Sequence, residues 1–127
     1  MILEDDPKDS LLAVDAARAE GFEDIEAFTS LAPAVKRIEQ ALRGETPAPD
    51  ALILDLSLGI DSGYELLRLW YKEGQQKIRV IVWSYLEERN REICALFKVD
   101  AYVNKWEGQG GLREALKQLN LTVAPNL

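Results

Sequence analysis

Histidine is absent from this 127-residue chain, and cysteine occurs once, at Cys94. Without an imidazole there is no usual general base, no usual zinc ligand and no phosphohistidine carrier, which disfavours most hydrolase and metalloprotease readings. A single thiol makes no internal disulfide, which suits a reducing compartment such as the cytoplasm. Long apolar runs are missing too. Charges interrupt every stretch well before the roughly 18 residues that a membrane span needs, and no secretory hydrophobic segment follows Met1. Base is scarce, with 15 Lys and Arg against 22 Asp and Glu for a net charge of −7. A general attraction to nucleic-acid phosphates or anionic lipid is therefore not expected.

What remains is the composition of one ordinary domain, 47% hydrophobic, with no room for a second core of comparable size. Short apolar runs alternate with stretches of helical period, the pattern of an α/β sheet with crossover helices. Five such pairs are expected. The first is Ile2-Leu3, closed by Pro7 and followed by a helix capped at Asp9 or Ser10, carrying Leu11, Leu12, Val14, Ala16 and Ala17, and ended by Gly21. A weak strand near 24–28 precedes a helix marked by Leu31, Val35, Ile38 and Leu42, with Pro33 in its first turn and Gly44 after it. Ala51 to Leu54 form a continuous apolar run ending at Asp55, as in a central strand covered on both faces. A loop over 59–63 leads to a helix through Leu66, Leu67 and Trp70. The β-branched run 78–83 ends at Ser84. A charged helix over 87–97, with Ile93, Leu96 and Phe97 inward, precedes a short strand from Ala101 to Asn104 and a closing helix through Leu112, Leu116 and Leu119. One domain over 1–121 and a flexible tail over 122–127 follow from this division. Trp70, Trp83 and Cys94 are expected in the core, and Arg89 and Arg91 on a solvated helix face.

The chemistry-bearing residues share one topological position. Glu4, Asp5, Asp55, Ser84 and Lys105 all fall where an expected strand stops, and in an open parallel sheet the carboxyl ends of strands converge on the ligand crevice. Any one of these residues alone is ordinary surface chemistry. Five suitable types at the ends of four strands are not. Three converging carboxylates repel one another unless a cation sits among them, and a hard divalent ion such as Mg²⁺ fits that ligand set. Lys105 supplies a point charge for a phosphate oxygen, and the Ser84 hydroxyl can donate to another. The set suits an aspartyl phosphate or a bound phosphate.

With these residues in place, the chain resembles the receiver domains of two-component response regulators, from residue 2 to about residue 119. The most specific stretch is LILDLSLGIDSGYELL at 52–67, in which Gly63 follows Asp55 by eight positions. The resemblance implies a flavodoxin-like, doubly wound five-stranded parallel sheet of order 2-1-3-4-5 with five helices. It implies Asp55 as phosphoacceptor, Mg²⁺ held by Glu4, Asp5, Asp55 and the Ser57 carbonyl, Lys105 and Ser84 as partners of the phosphoryl group, and Ser84 and Tyr102 as the switch pair. A histidine kinase or histidine phosphotransfer protein would be the donor. A downstream protein would read the face made by the fourth helix, fifth strand and fifth helix. The chain would not be an enzyme on an outside substrate, only a catalyst of its own Mg²⁺-dependent phosphorylation and dephosphorylation.

Three departures stand out. Gly59 and Trp106 replace prolines common in that family, which implies different local loop geometry. Tyr85 follows the switch serine where a small residue is common, so Tyr85 and Trp106 are expected to crowd the mouth of the site. The rival reading is a pseudo-receiver, a protein-interaction module that is not phosphorylated. A redox flavodoxin is disfavoured because residues 5–9, Asp-Asp-Pro-Lys-Asp, would repel its phosphate.

Overall fold

A computed structural model describes residues 1–58, 61–75, 77–85 and 87–123 of the chain. Five strands form one parallel sheet: β1 (Ile2–Leu3), β2 (Ala27–Phe28), β3 (Ala51–Leu54), β4 (Arg79–Ser84) and β5 (Ala101–Asn104). Their spatial order is β2-β1-β3-β4-β5, the expected doubly wound order. The helices are α1 (Pro7–Ala19), α2 (Leu31–Leu42), α3 (Tyr64–Leu69), α4 (Glu88–Phe97) and α5 (Gly108–Val123). A π-helical turn, Trp70–Gly74, prolongs α3. Among the described residues no helix is long and apolar enough to cross a membrane.

Strand alternation builds two cores, one on each face of the sheet. Val80 and Val82 of β4 face one side with Leu52, Leu54, Ile38, Leu66 and Leu67, beneath α2 and α3. Ile81 and Trp83 face the other, with Ile53, Val103, Ala13, Ala16, Leu112 and Leu116, beneath α1 and α5. Each fully buried Leu or Ile contributes about 1.5–3 kcal/mol. Trp70 and Trp83 are buried as expected, and so is Cys94. Burial pushes the Cys94 thiol up to about 12, so it is a packing residue without thiolate character.

Several local expectations are corrected. Helix α1 begins at Pro7, not after Asp9 or Ser10, because the Asp6 side chain accepts from the Lys8 and Asp9 N–H groups at 2.8 and 3.2 Å. Proline at the first helical position needs no N–H partner and fits that start. Leu11 is exposed, since the buried stripe of α1 is made of Ala13, Ala16 and Ala17. Leu96 is exposed as well; Asn90 and Cys94, four residues apart, take the inward positions of α4. Helix α5 continues through Thr122 and Val123, which the sequence assigns to a tail. Residues 124–127 and Gly59 lie outside the described residues.

The β3–α3 connection contains an unexpected antiparallel strand pair, Ser57–Leu58 against Asp61–Ser62. Gly63 closes it, donating its N–H to the Leu56 carbonyl at 3.0 Å. Its backbone is ordinary, with φ −64° and ψ −11°, so the need for glycine is one of space. A Cβ there would meet the Asp55 carbonyl oxygen at 2.4 Å and the Leu56 Cα at 3.1 Å. Gly63→Ala is therefore expected to lower stability by about 2–3 kcal/mol, as overpacking does, read as a lower urea midpoint with unchanged slope. An unchanged midpoint would contradict the close approach.

Candidate functional site

The parallel register sets the carboxyl ends of β1, β3, β4 and β5 side by side. Leu3 pairs with Leu54, which makes Glu4 and Asp55 neighbours, and Ser84 pairs with Asn104, which brings Lys105 alongside. Glu4, Asp55, Ser84 and Lys105 are all buried, while Asp5 is exposed. One carboxylate oxygen from each of Glu4, Asp5 and Asp55 lies within 4.8 Å of the other two. The expected residues thus converge.

Both oxygens of Asp55 are held. Oδ1 accepts from the Ser84 hydroxyl at 2.9 Å and from the Ser57 N–H at 3.0 Å, and Oδ2 accepts from the Lys105 ammonium at 3.1 Å. The same ammonium donates to Glu4 Oε1 and, at 3.1 Å, to Asp9 Oδ2. Aromatic rings flank it, with Nζ 5.3 Å from the Trp83 ring centroid and 5.5 Å from that of Tyr85. The Tyr85 ring rests on Trp106 at 4.7 Å. Trp106 is 76% exposed and lies on the outside of this pair. Tyr102 donates its hydroxyl hydrogen to the Tyr85 carbonyl at 3.0 Å, and Tyr64 donates to the Asn90 side chain.

Asp9 is the member that sequence reasoning missed. The sequence pattern offers Asp9 or Ser10 as a helix cap, but Asp6 makes the cap and Asp9 stands in the first turn with its carboxylate on Lys105. The Asp6-Pro7 pair, read as cap and first helical residue, was the available signal. A cavity of about 400 Å³ opens elsewhere, between Phe22, Ile25, Arg37 and Pro49, and none of the residues gathered around Lys105 lines it.

Acid exceeds base in this cluster. Burial pushes the Glu4 carboxyl up to about 8; the Lys105 hydrogen bond opposes that shift, and neighbouring Asp55 adds to it. For Lys105, burial acts to lower its basicity but is outweighed by Glu4, Asp55 and Asp9, so the ammonium is held above its usual range. The two shifts have different leading causes, burial for Glu4 and the surrounding carboxylates for Lys105, but both reflect acid in excess of base, which favours an extra cation.

No family profile and no curated protein matches the sequence. Solved structures match its shape. The bacteriophytochrome response regulator RtBRR superposes with a TM-score of 0.78 at 22% identity, over 98% of this chain and 79% of that one. A two-component response regulator from Cytophaga hutchinsonii gives 0.74 at 22%, over 93% and 92%. The Mn²⁺-bound form of response regulator Rcp1 gives 0.66 at 20%, over 99% and 96%. The chain has the flavodoxin-like fold of response-regulator receiver domains.

The sign of the Glu4 shift fixes a pH dependence. Between the ordinary carboxyl value near 4.5 and about 8, the folded chain keeps a proton that the unfolded chain has lost, so stability falls as pH rises. The expected slope in metal-free buffer approaches about 1.4 kcal/mol per pH unit, the value for one proton. Glu4→Gln should remove that slope in urea titrations between pH 5 and pH 8. Parallel stability curves for the two proteins would contradict it.

Proposed function

We propose that the chain is a two-component receiver that accepts a phosphoryl group on Asp55 and switches a protein-binding surface. The observation that carries this reading is the grip on Asp55, a buried carboxylate with Lys105 on one oxygen and Ser84 and the Ser57 N–H on the other. The donor would be a phosphohistidine of a kinase or phosphotransfer protein. An Asp55 oxygen attacks phosphorus, the P–N bond breaks, and the electron pair returns to the departing imidazole. Lys105 neutralises charge on the transferring group, and its buried position makes that neutralisation stronger than in water.

The acidic cluster fits a divalent cation, because three carboxylates converge there and one, Asp5, is open to solvent. Glu4, Asp5 and Asp55 would hold Mg²⁺ with the Ser57 carbonyl; Rcp1, similar in shape, is a Mn²⁺-bound form. The bound ion would neutralise and orient phosphoryl oxygens.

After transfer, the Ser84 hydroxyl leaves Asp55 Oδ1 for a phosphoryl oxygen. Tyr85 is the next residue, and its carbonyl holds the Tyr102 hydroxyl, so the movement reaches β5 and the start of α4. The α4-β5-α5 face is the output surface, read by a downstream protein in the cytoplasm. The chain acts on itself and not on an outside substrate.

Incubation with acetyl phosphate and Mg²⁺ tests the reading by intact mass. A phosphoryl adduct is expected on the parent and not on Asp55→Asn; an adduct of equal yield in the variant would remove Asp55 from the role. The Tyr85 and Trp106 rings, packed at a tilt of 58°, favour a second reading, a pseudo-receiver closed to phosphorylation. That reading requires a parent that takes no adduct.

The Tyr85 ring stands between Lys105 and Trp106 in the contact series, so it restricts small donors and attacking water. Tyr85→Ala is expected to speed both phosphorylation by acetyl phosphate and hydrolysis by about tenfold, equivalent to about 1.4 kcal/mol of barrier. Mg²⁺ affinity should not change. Superimposable time courses for the two proteins would end the gating role.

A further inference from the structure

An ammonium has three N–H donors, and in this chain all three of Lys105 are committed, to Glu4, Asp9 and Asp55. No donor is left for an arriving anion. The three acceptors are not equivalent. The side chains of Glu4 and Asp55 are 2% and 7% exposed, whereas that of Asp9 is 19% exposed. Glu4 and Asp55 sit in the buried strand ends, where a carboxyl group that lost its hydrogen-bond partner would be left unsatisfied at high cost. Asp9 stands on the first turn of α1, at the solvent margin, and can turn to water when its hydrogen bond is taken.

We propose that Asp9 is a resident competitor for Lys105, its carboxylate occupying the donor that an incoming phosphoryl oxygen needs and so setting how readily anionic donors load the site. The proposal rests on the phosphoacceptor reading of Asp55. Loading exchanges one charge-assisted hydrogen bond for another; no covalent bond to Asp9 forms or breaks. The negative charge of Asp9 also repels the anionic donor directly, so both effects act in the same direction.

Asp9→Asn keeps the shape of the side chain and removes its charge. Asp15→Asn removes one acid from the exposed face of the same helix and serves as the control for net charge. Acetyl phosphate loading is followed by intact mass at saturating Mg²⁺, and beryllium fluoride binding by tryptophan emission. Asp9→Asn is expected to reach half-saturation at about tenfold lower concentration of either probe, the size of one charge-assisted hydrogen bond no longer displaced. The limiting phosphorylation rate should change far less. Asp15→Asn should match the parent. A parent that loads while Asp9→Asn loads at the same or higher concentration would overturn the competitor role and leave the phosphoacceptor reading intact, since a mere support for Lys105 would weaken loading when removed. Equal gains in Asp9→Asn and Asp15→Asn would also overturn it, assigning the effect to net charge. Failure of the parent to take up either probe would overturn both.

Discussion

The ammonium of Lys105 is the point on which this structure turns. It joins residues 101, 96 and 50 positions away in the chain, and so ties the ends of β1, β3 and β5 to the first turn of α1. Such a cluster is not a source of net stability, because taking several charges out of water costs more than imperfect pairing returns. The two apolar faces of the sheet offset that cost. The excess of acid over base is a chemical property held in place by the fold: Glu4 and Asp55 cannot separate while Leu3 stays paired with Leu54.

Strand β4 and the residue after it extend the constraint outwards. Three consecutive side chains meet the cluster from different directions: Trp83 packs against the ammonium from the core, Ser84 donates to Asp55, and Tyr85 covers the ammonium from the solvent side. Alternation along an extended chain makes this possible, since neighbours point to opposite faces. Ser84 and Tyr85 share a peptide unit, so a backbone movement that carried the Ser84 hydroxyl to a new partner would carry Tyr85 with it. The Tyr85 carbonyl is the acceptor for Tyr102, and the loop it begins leads into α4. Asp55 and the Tyr102 hydroxyl of β5 are thus linked through two residues, Ser84 and Tyr85.

Much of this was legible in the sequence, for a physical reason. Apolar runs such as 51–54 mark strands covered on both faces, and polar residues that end such runs are carried to one edge of the sheet by topology alone. What was not legible depends on finer geometry. Leu11 and Leu96 are large and apolar yet exposed, because close contact between α1 and its neighbours selects the smaller Ala13, Ala16 and Ala17, and because Cys94 rather than Leu96 faces the core of α4. The antiparallel pair Ser57–Leu58 and Asp61–Ser62 uses too few residues to leave a periodic signal. Asp9 was hidden by a one-turn error in where α1 begins.

Trp106 shows how a departure from the receiver pattern is accommodated. Where that pattern places proline, the Trp106 N–H donates to the Asn104 side chain at 3.0 Å and opens a 3₁₀ turn over Lys105–Glu107. Proline has no N–H and could not make that bond. Gly108, at φ +69°, then redirects the chain into α5, a conformation that other residues adopt only with strain. The turn after Lys105 is thus fixed by an asparagine cap and a glycine. This leaves position 106 free to carry an indole, which packs on Tyr85. The change in backbone chemistry and the indole packed on Tyr85 are two consequences of the same residue.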